Sequence, residues 1–537
     1  MERFFFNTAG PIIPEDHYKI PLIGRLDWDE IQSLIRTKRY FVLHAPRQTG
    51  KTSTLLAIME EINKSDQYIS VYSNIEGAQA ARNNVERGMA EVARAIASDA
   101  EFYLDDYLVK NILKEISDEQ IKPEGLISEL LMRWSKKSKL PIVLLLDEVD
   151  ALIGDTLISL LRQLRAGYTK RPKGFPLSII LCGVRDVRDY RITRESGEII
   201  TGGSAFNIKA KSLRMGNFSE DETRHLILQH TKETGQQFDE EIFPNLWEDT
   251  KGQPWLVNAL GHQMIWEDKS ARDRNIKIDI HRYFAARERL IQSRATHLDQ
   301  LADKLKEERV KRVIEPLLEG EQTELNIPLD DILYNVDIGL IVRKPNINIS
   351  NKIYQEIIPR ELVASTQETM IQNSTWYIKD NNSLDMKKLI AAFQQFFREN
   401  SESWVERFDY KEAGPQLLMQ AFLQRVINGG GRLNREYGLG RKRTDLLIEW
   451  PLDPTQSPEK GLYGTLQRVV IELKILRGKL STELITALEQ SCEYGDKAGA
   501  DEVHILFFDR NKNRSWDDKI WHKIEKHKER VVDVWGC

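Results

Sequence analysis

The sequence predicts an α/β multidomain protein: a parallel sheet carrying a phosphate loop first, helical segments in the middle, and an αβββαβ unit at the end. Three observations predict it. The stretch Ala45-Pro46-Arg47-Gln48-Thr49-Gly50-Lys51-Thr52 lies between an apolar run, Tyr40 to Leu43, and the helical pattern Ser53 to Met59. A second apolar run, Pro141 to Leu146, ends in Asp147-Glu148, and residues 415–508 alternate as helix, three strands, helix and strand. At 537 residues the chain exceeds what one hydrophobic core supports.

Composition narrows the class. With 41% hydrophobic and 30% charged residues the chain reads as globular, and its net charge of −5 excludes global attraction to nucleic acid. Any such contact needs a local basic patch. Cys182, Cys492 and Cys537 are too few and too scattered for a disulfide framework or a zinc site, which fits a reducing cytoplasm. The opening Met1 to Asn7 turns polar too soon for a signal peptide, and no run approaches the roughly 20 apolar residues of a membrane span.

Taken in order, the loop comes first. Backbone N–H groups of residues 45–52 curl around a β-phosphate, Lys51 reaches the β- and γ-phosphates, Thr52 offers its hydroxyl to Mg²⁺, and the following helix aims its positive end at the anion. A nucleoside triphosphate is the ligand this pattern implies. Tyr68 to Tyr72 reads as a second strand, and residues 78–135 carry helical spacing. Pro141 to Asp147 reads as a strand buried on both faces, whose end delivers Asp147 to the hydration shell of Mg²⁺ and Glu148 to the attacking water. Leu177 to Val184 is a further strand, ending at Arg185. That cation either senses a γ-phosphate or belongs to a salt-bridged loop. Arg162 and Arg165 read as arginine fingers or as solvated charges.

With Phe6-Asn-Thr-Ala-Gly-Pro11, His17-Tyr18, Arg25, the 45–52 loop, Phe218-Ser-Glu-Asp-Glu222 and Lys251-Gly-Gln-Pro-Trp-Leu-Val-Asn258, the first half resembles bacterial AAA-like ATPases related to the STAND group. The resemblance implies a P-loop ATPase core over 1–215, a helical lid over 216–300 and a winged-helix-like domain over 301–364 that closes the site. It also implies ATP as ligand and brings Gly252 and Pro254 to the adenine. Gly252-Gln253-Pro254 equally reads as one helix ending and another starting. Tyr18 either stacks on the base or sits in the core.

A connecting segment is expected over 365–399 and a new domain over 400–537. There a helix, Pro415 to Ile427, precedes strands Arg432 to Tyr437, Arg443 to Trp450 and Arg468 to Ile475, then a helix Ser481 to Ala498 and a strand Glu502 to Phe508. Side chains at i and i+2 share a strand face, so Glu472 and Lys474 point one way while Ile471, Leu473 and Ile475 enter an apolar layer. Asp445 and Glu472 are hard oxygen donors of the kind Mg²⁺ prefers, and Lys474 would orient or deprotonate water. The same residues also serve elsewhere as charges that protect sheet edges.

This order, with Asp445 and Glu472-Leu-Lys474, resembles the PD-(D/E)XK nuclease superfamily, a restriction-endonuclease-like fold, and the resemblance adds Gln490 as a fourth site residue. Thr444 stands where the motif has Pro, the 451–464 segment is an insertion, and the first helix lacks an inward acid, for which Glu412 and Glu436 are substitutes. Arg432, Arg435, Arg441, Lys442 and Arg443 either bind a phosphodiester backbone or form a solvated loop.

Together these readings imply an ATP-binding and ATP-hydrolysing switch that controls a Mg²⁺-dependent nuclease. Its expected partners are nucleic acid, DNA rather than RNA, further copies of itself and a trigger protein, with no membrane. Two rival readings stand beside it: a nuclease fold that only binds nucleic acid or assembles chains, and a DNA translocase or repair ATPase.

Overall fold

The computed structural model describes residues 4–185, 191–193, 199–201, 206–293, 303–319, 327–369, 377–405, 414–427, 431–437, 444–453, 465–511 and 513–537. The chain divides into two compact units. One comprises Met1–His230 with Gly252–Asn258 and Asp337–Gly339; the other comprises Thr231–Lys251, Ala259–Val336 and Leu340–Cys537.

The first unit is built on a five-stranded sheet of β1 (Tyr40–His44), β2 (Ile69–Asn74), β3 (Ile142–Asp147), β4 (Ser178–Gly183) and, beyond a short hairpin of β5 (Arg191–Thr193) and β6 (Ile199–Thr201), β7 (Lys209–Arg214). Its order is β2-β3-β4-β1-β7, and all four pairings are parallel. Every residue of β1, β3 and β4 is buried, because parallel strands with helices on both faces leave neither face to water. Alternation then sorts the side chains. Val42, Leu144, Leu146, Ile179 and Leu181 enter one core with Trp134 and Phe175, under the helices Val85–Leu104, Leu108–Asp118, Pro123–Lys137 and Gly154–Ala166. Phe41, Leu43, Val143, Leu145 and Ile180 enter the other, against the helices Trp28–Arg36 and Lys51–Lys64. The carboxyl ends of β1, β3 and β4 share one sheet edge, which is where open parallel sheets gather their functional groups.

The second unit carries helices and a six-stranded sheet. A small antiparallel pair, β8 (Ile341–Val342) with β9 (Asn348–Ile349), precedes the helix Lys352–Thr369. The large sheet runs β10 (Arg432–Tyr437), β11 (Thr444–Pro451), β12 (Leu466–Ile475), β13 (Glu502–Phe508), β15 (Arg530–Gly536) and β14 (Trp521–His527). Pairing is antiparallel from β10 to β12 and parallel from β12 through β13 to β15. The helix Gly414–Ile427 comes before β10, and Leu480–Ala498 lies between β12 and β13, so the element order is αβββαβ with a hairpin appended.

Two differences from the sequence reading stand out. The connecting segment expected over 365–399 is largely helical at its far end, where Met386–Val405 joins the sheet domain. Phe393 and Phe397 pack edge-on and tilted against Phe508, while Gln394 Nε2 donates to the carbonyls of Trp521 and Gly536. The helix Met386–Val405 therefore packs against the six-stranded sheet. Arg432 is the second difference: it is buried, not part of a phosphate-binding surface or a solvated loop. Its guanidinium lies 5.2 Å from the centroid of the Phe284 ring and its Nη1 is 3.8 Å from Glu449 Oε2. Burial lowers its pKa.

Arg432 borders a buried ionic network. Tyr283 Oη donates to Asp249 Oδ2 at 2.7 Å, Arg287 Nε is 3.0 Å from the same oxygen, and Arg360 Nη1 donates to Glu288 Oε1 at 2.8 Å. The network thereby ties the helices Ile242–Thr250, Ile280–Gln292 and Lys352–Thr369 to one another. Burial alone would push the Glu288 carboxyl up, but the Arg360 guanidinium, together with those of Arg432 and Arg287, outweighs it and holds the group down at about 2. A carboxylate depressed on folding contributes stability that is complete above its unfolded value and is lost as pH falls toward the folded one. Denaturant melts of wild type and Glu288→Gln should therefore show the wild type losing more stability than the variant between about pH 5 and about pH 3.

Candidate functional site

The phosphate loop curls because two of its residues take left-handed backbone. Gln48 has φ 56° and Gly50 φ 86°, and Gly50 caps the helix Lys51–Lys64. Glycine meets the second requirement without strain; Gln48 meets the first at some cost. Thr49 Oγ1 donates to the Pro46 carbonyl at 2.7 Å, and Lys51 Nζ lies folded over the loop, donating to the carbonyls of Ala45 and Pro46 at 3.2 Å each. Arg47 points to solvent.

Thr52 and Asp147 meet. Thr52 Oγ1 donates to Asp147 Oδ2 at 2.8 Å, Tyr72 Oη donates to the same oxygen at 3.1 Å, and the Glu148 amide donates to Oδ1 at 2.9 Å. Asp147 is wholly buried. Glu148 follows with φ 56°, a turn that separates its side chain from the strand direction. Burial raises its pKa, Lys51 opposes the rise, and Asp150 and Asp147 add to it. A hydroxyl and a carboxylate converging beside a lysine form a donor set that fits Mg²⁺, with no soft ligand among them.

Arg25 supports the loop from behind. Its Nη1 donates to the Thr49 carbonyl at 2.6 Å, its Nη2 donates to the Gly216 carbonyl, and its guanidinium lies 4.9 Å from the centroid of the Phe218 ring. Burial brings its pKa down to about 10. Beside the loop lies a pocket walled by Tyr18, Gly50, Ser53, Phe218, Pro254 and Trp255. Pro254 starts the helix Pro254–His262 two residues after Gly252 at φ 68°, so it is both a helix start and a pocket wall. Tyr18 is core and wall together: its hydroxyl is 3.0 Å from His230 Nδ1. Arg185 is mostly buried, with Nε 3.6 Å from Asp337 Oδ2, and residues 186–190 lie outside the described residues. Arg162 and Arg165 are exposed.

Residues 35–190 match a family model described as AAA domain. The first half of the chain carries an AAA-type P-loop ATPase domain. Among solved structures, the chain is similar to a Walker-type ATPase of Pyrococcus abyssi, with a TM-score of 0.45 and 14% identity over 66% of this chain and 99% of that one. It is also similar to Cdc6p of Pyrobaculum aerophilum (TM-score 0.34, 14% identity, 66% and 97% of the two chains). The Thermotoga maritima RuvB Holliday junction branch migration motor follows, with a TM-score of 0.32 and 12% identity over 62% and 95%. Comparison with curated proteins found no match. Among the described residues no helix is long and apolar enough to cross a membrane.

The AAA domain accounts for one cluster; the second lies in the other unit. On β12, Glu472 is wholly buried, Lys474 Nζ lies 2.5 Å from its Oε1, and Nζ donates to Gln490 Oε1 at 3.3 Å. Alternation explains the pairing, since Val470, two residues before Glu472, packs under the helix Leu480–Ala498 that carries Gln490. Asp445 is the direct register partner of Glu472 across β11 and β12, and its side chain lies outside the described residues. So do the side chains of Glu412, Glu436, Arg435, Arg441, Lys442 and Arg443, and residues 454–464 of the insertion. Sequence reasoning missed Tyr72, whose bond to Asp147 crosses between strands and leaves no local pattern.

Proposed function

We propose that this chain is an ATP-driven switch that controls a Mg²⁺-dependent phosphodiesterase acting on nucleic acid, DNA rather than RNA. The observation that carries the second half of this reading is the cluster of Glu472, Lys474 and Gln490 on an αβββαβ sheet, with Asp445 opposite Glu472 in register. A carboxylate pair spanning adjacent strands would hold Mg²⁺, which when bound supplies charge stabilisation at a phosphodiester. Lys474 would hold the attacking water and Gln490 would hold Lys474.

In the first half, Lys51 and the loop amides would bind the phosphates, Thr52 and Asp147 would hold Mg²⁺, and Glu148 would take the proton of the attacking water. The pocket bounded by Tyr18, Phe218 and Pro254 offers apolar walls for a base. Arg185, two residues beyond β4, would sense the γ-phosphate. Coupling would run through the ionic network, because Arg432 of β10 rests on Phe284 of the helix Ile280–Gln292, within the segment read as the lid. Assembly into oligomers and a protein trigger complete the proposal.

The rival reading is a nuclease fold retained only to bind nucleic acid or to assemble chains. Incubating the protein with plasmid, single-stranded DNA and RNA, each with and without Mg²⁺ and ATP, separates the two: cleavage requiring Mg²⁺ is expected, and binding without cleavage supports the rival. For the ATPase half, Glu148→Gln should lower ATP hydrolysis about 10²-fold or more with nucleotide binding retained, measured by phosphate release and by titration.

A further inference from the structure

Asp147 receives one donor that the loop and strand motifs do not supply. Tyr72 reaches it from the neighbouring strand, where Tyr72 pairs with Leu145 and Asn74 with Asp147 in parallel register. The phenol spans that two-residue offset to place its hydroxyl 3.1 Å from Asp147 Oδ2. Its main chain and ring are both held. The Tyr72 amide donates to Met59 Sδ at 3.3 Å, Tyr103 meets the ring edge-on at a centroid distance of 6.2 Å, and the ring belongs to the core that holds Val143 and Leu145.

The two hydroxyls on Oδ2 are not equivalent. Thr52 stands at the start of the helix Lys51–Lys64, where its oxygen is the group wanted by a metal, and a lone pair given there fixes the rotor of its hydroxyl. Tyr72 is walled into the core, its ring edge-on to Tyr103. Its hydroxyl stays a donor at neutral pH, and a donor aimed at one carboxylate oxygen selects one rotamer of the aspartate.

We propose that Tyr72 is a positioning residue for Mg²⁺-nucleotide: it holds the Asp147 carboxylate in the orientation that receives the metal. The proposal rests on the reading of Thr52 and Asp147 as the groups that hold Mg²⁺. It predicts a defect in the metal-dependent part of nucleotide binding alone.

Tyr72→Phe keeps the ring and removes only the donor. ATP binding by the full chain, titrated by fluorescence or calorimetry in EDTA and across a Mg²⁺ series, is the readout. The expected result is unchanged affinity in EDTA with a Mg²⁺ half-saturation point raised about tenfold, the size of one lost hydrogen bond to a charged group. In the Asp147→Asn background the same substitution should have no further effect on Mg²⁺ dependence. A Mg²⁺ curve identical to wild type would overturn the proposal, as would an equal loss in EDTA, which would mark the hydroxyl as packing only. A wild-type chain that binds ATP with no response to Mg²⁺ would overturn the reading of the site itself, and the positioning role with it.

Discussion

Lys474→Ala is expected to remove Mg²⁺-dependent cleavage, by about 10² to 10⁴-fold, while ATP binding stays at the wild-type level. The ammonium lies 2.5 Å from Glu472 Oε1 and bonds Gln490, so it touches both other described members of the cluster. Removing it also leaves a wholly buried carboxylate without that partner, a change that costs about 3–5 kcal/mol in comparable cases. A fall in cleavage from this variant alone therefore mixes chemistry with stability. Asp445→Asn separates them, because it changes the opposite strand and leaves the Lys474–Glu472 pair in place. Loss of cleavage in both variants, with the second melting like wild type, is the expected outcome. Wild-type cleavage rates in both would remove the phosphodiesterase from the proposed function.

What the sequence makes legible depends on the range over which each feature is specified. β3 is readable because Ile142 to Leu146 is apolar on both faces and ends in Asp147, a pattern carried by six consecutive residues. The Glu472–Lys474 pairing is readable because strand alternation alone puts i and i+2 together. Arg432 is not readable in this way. Its burial depends on Phe284, almost 150 residues earlier, and nothing in Gly431-Arg432-Leu433-Asn434 announces that contact. The helix Met386–Val405 falls between these cases. Leu389, Ile390, Phe393 and Phe397 have helical spacing, yet the polar residues Lys379 to Ser383 just before them give the region the composition of a connector. Tyr72 shows the remaining limit: a strand tyrosine is usually read as packing, and only the parallel register of β2 against β3 turns its hydroxyl toward Asp147.

Lys51→Ala should weaken ATP binding severely and, with it, remove any effect of ATP on cleavage at ATP levels that saturate the wild type. The side chain is buried and its Nζ is held by two loop carbonyls at 3.2 Å, so the ammonium is already poised over the curl of the loop. A charge-assisted bond to phosphate exchanged for nothing costs about 1.5–3 kcal/mol, and a lysine that reaches two phosphates loses more than one. At about 1.4 kcal/mol per tenfold, binding should weaken by about 10² or more, measured by ATP titration. The informative comparison is between this variant and Glu148→Gln. If ATP binding sets the switch, cleavage in Lys51→Ala should be fixed at the ATP-free level, whereas Glu148→Gln should hold the ATP level without turnover. If hydrolysis sets it, both variants should behave alike. Cleavage that responds to ATP in Lys51→Ala as it does in wild type would sever the two halves of the proposal, leaving an ATPase domain and a phosphodiesterase that share a chain without sharing control.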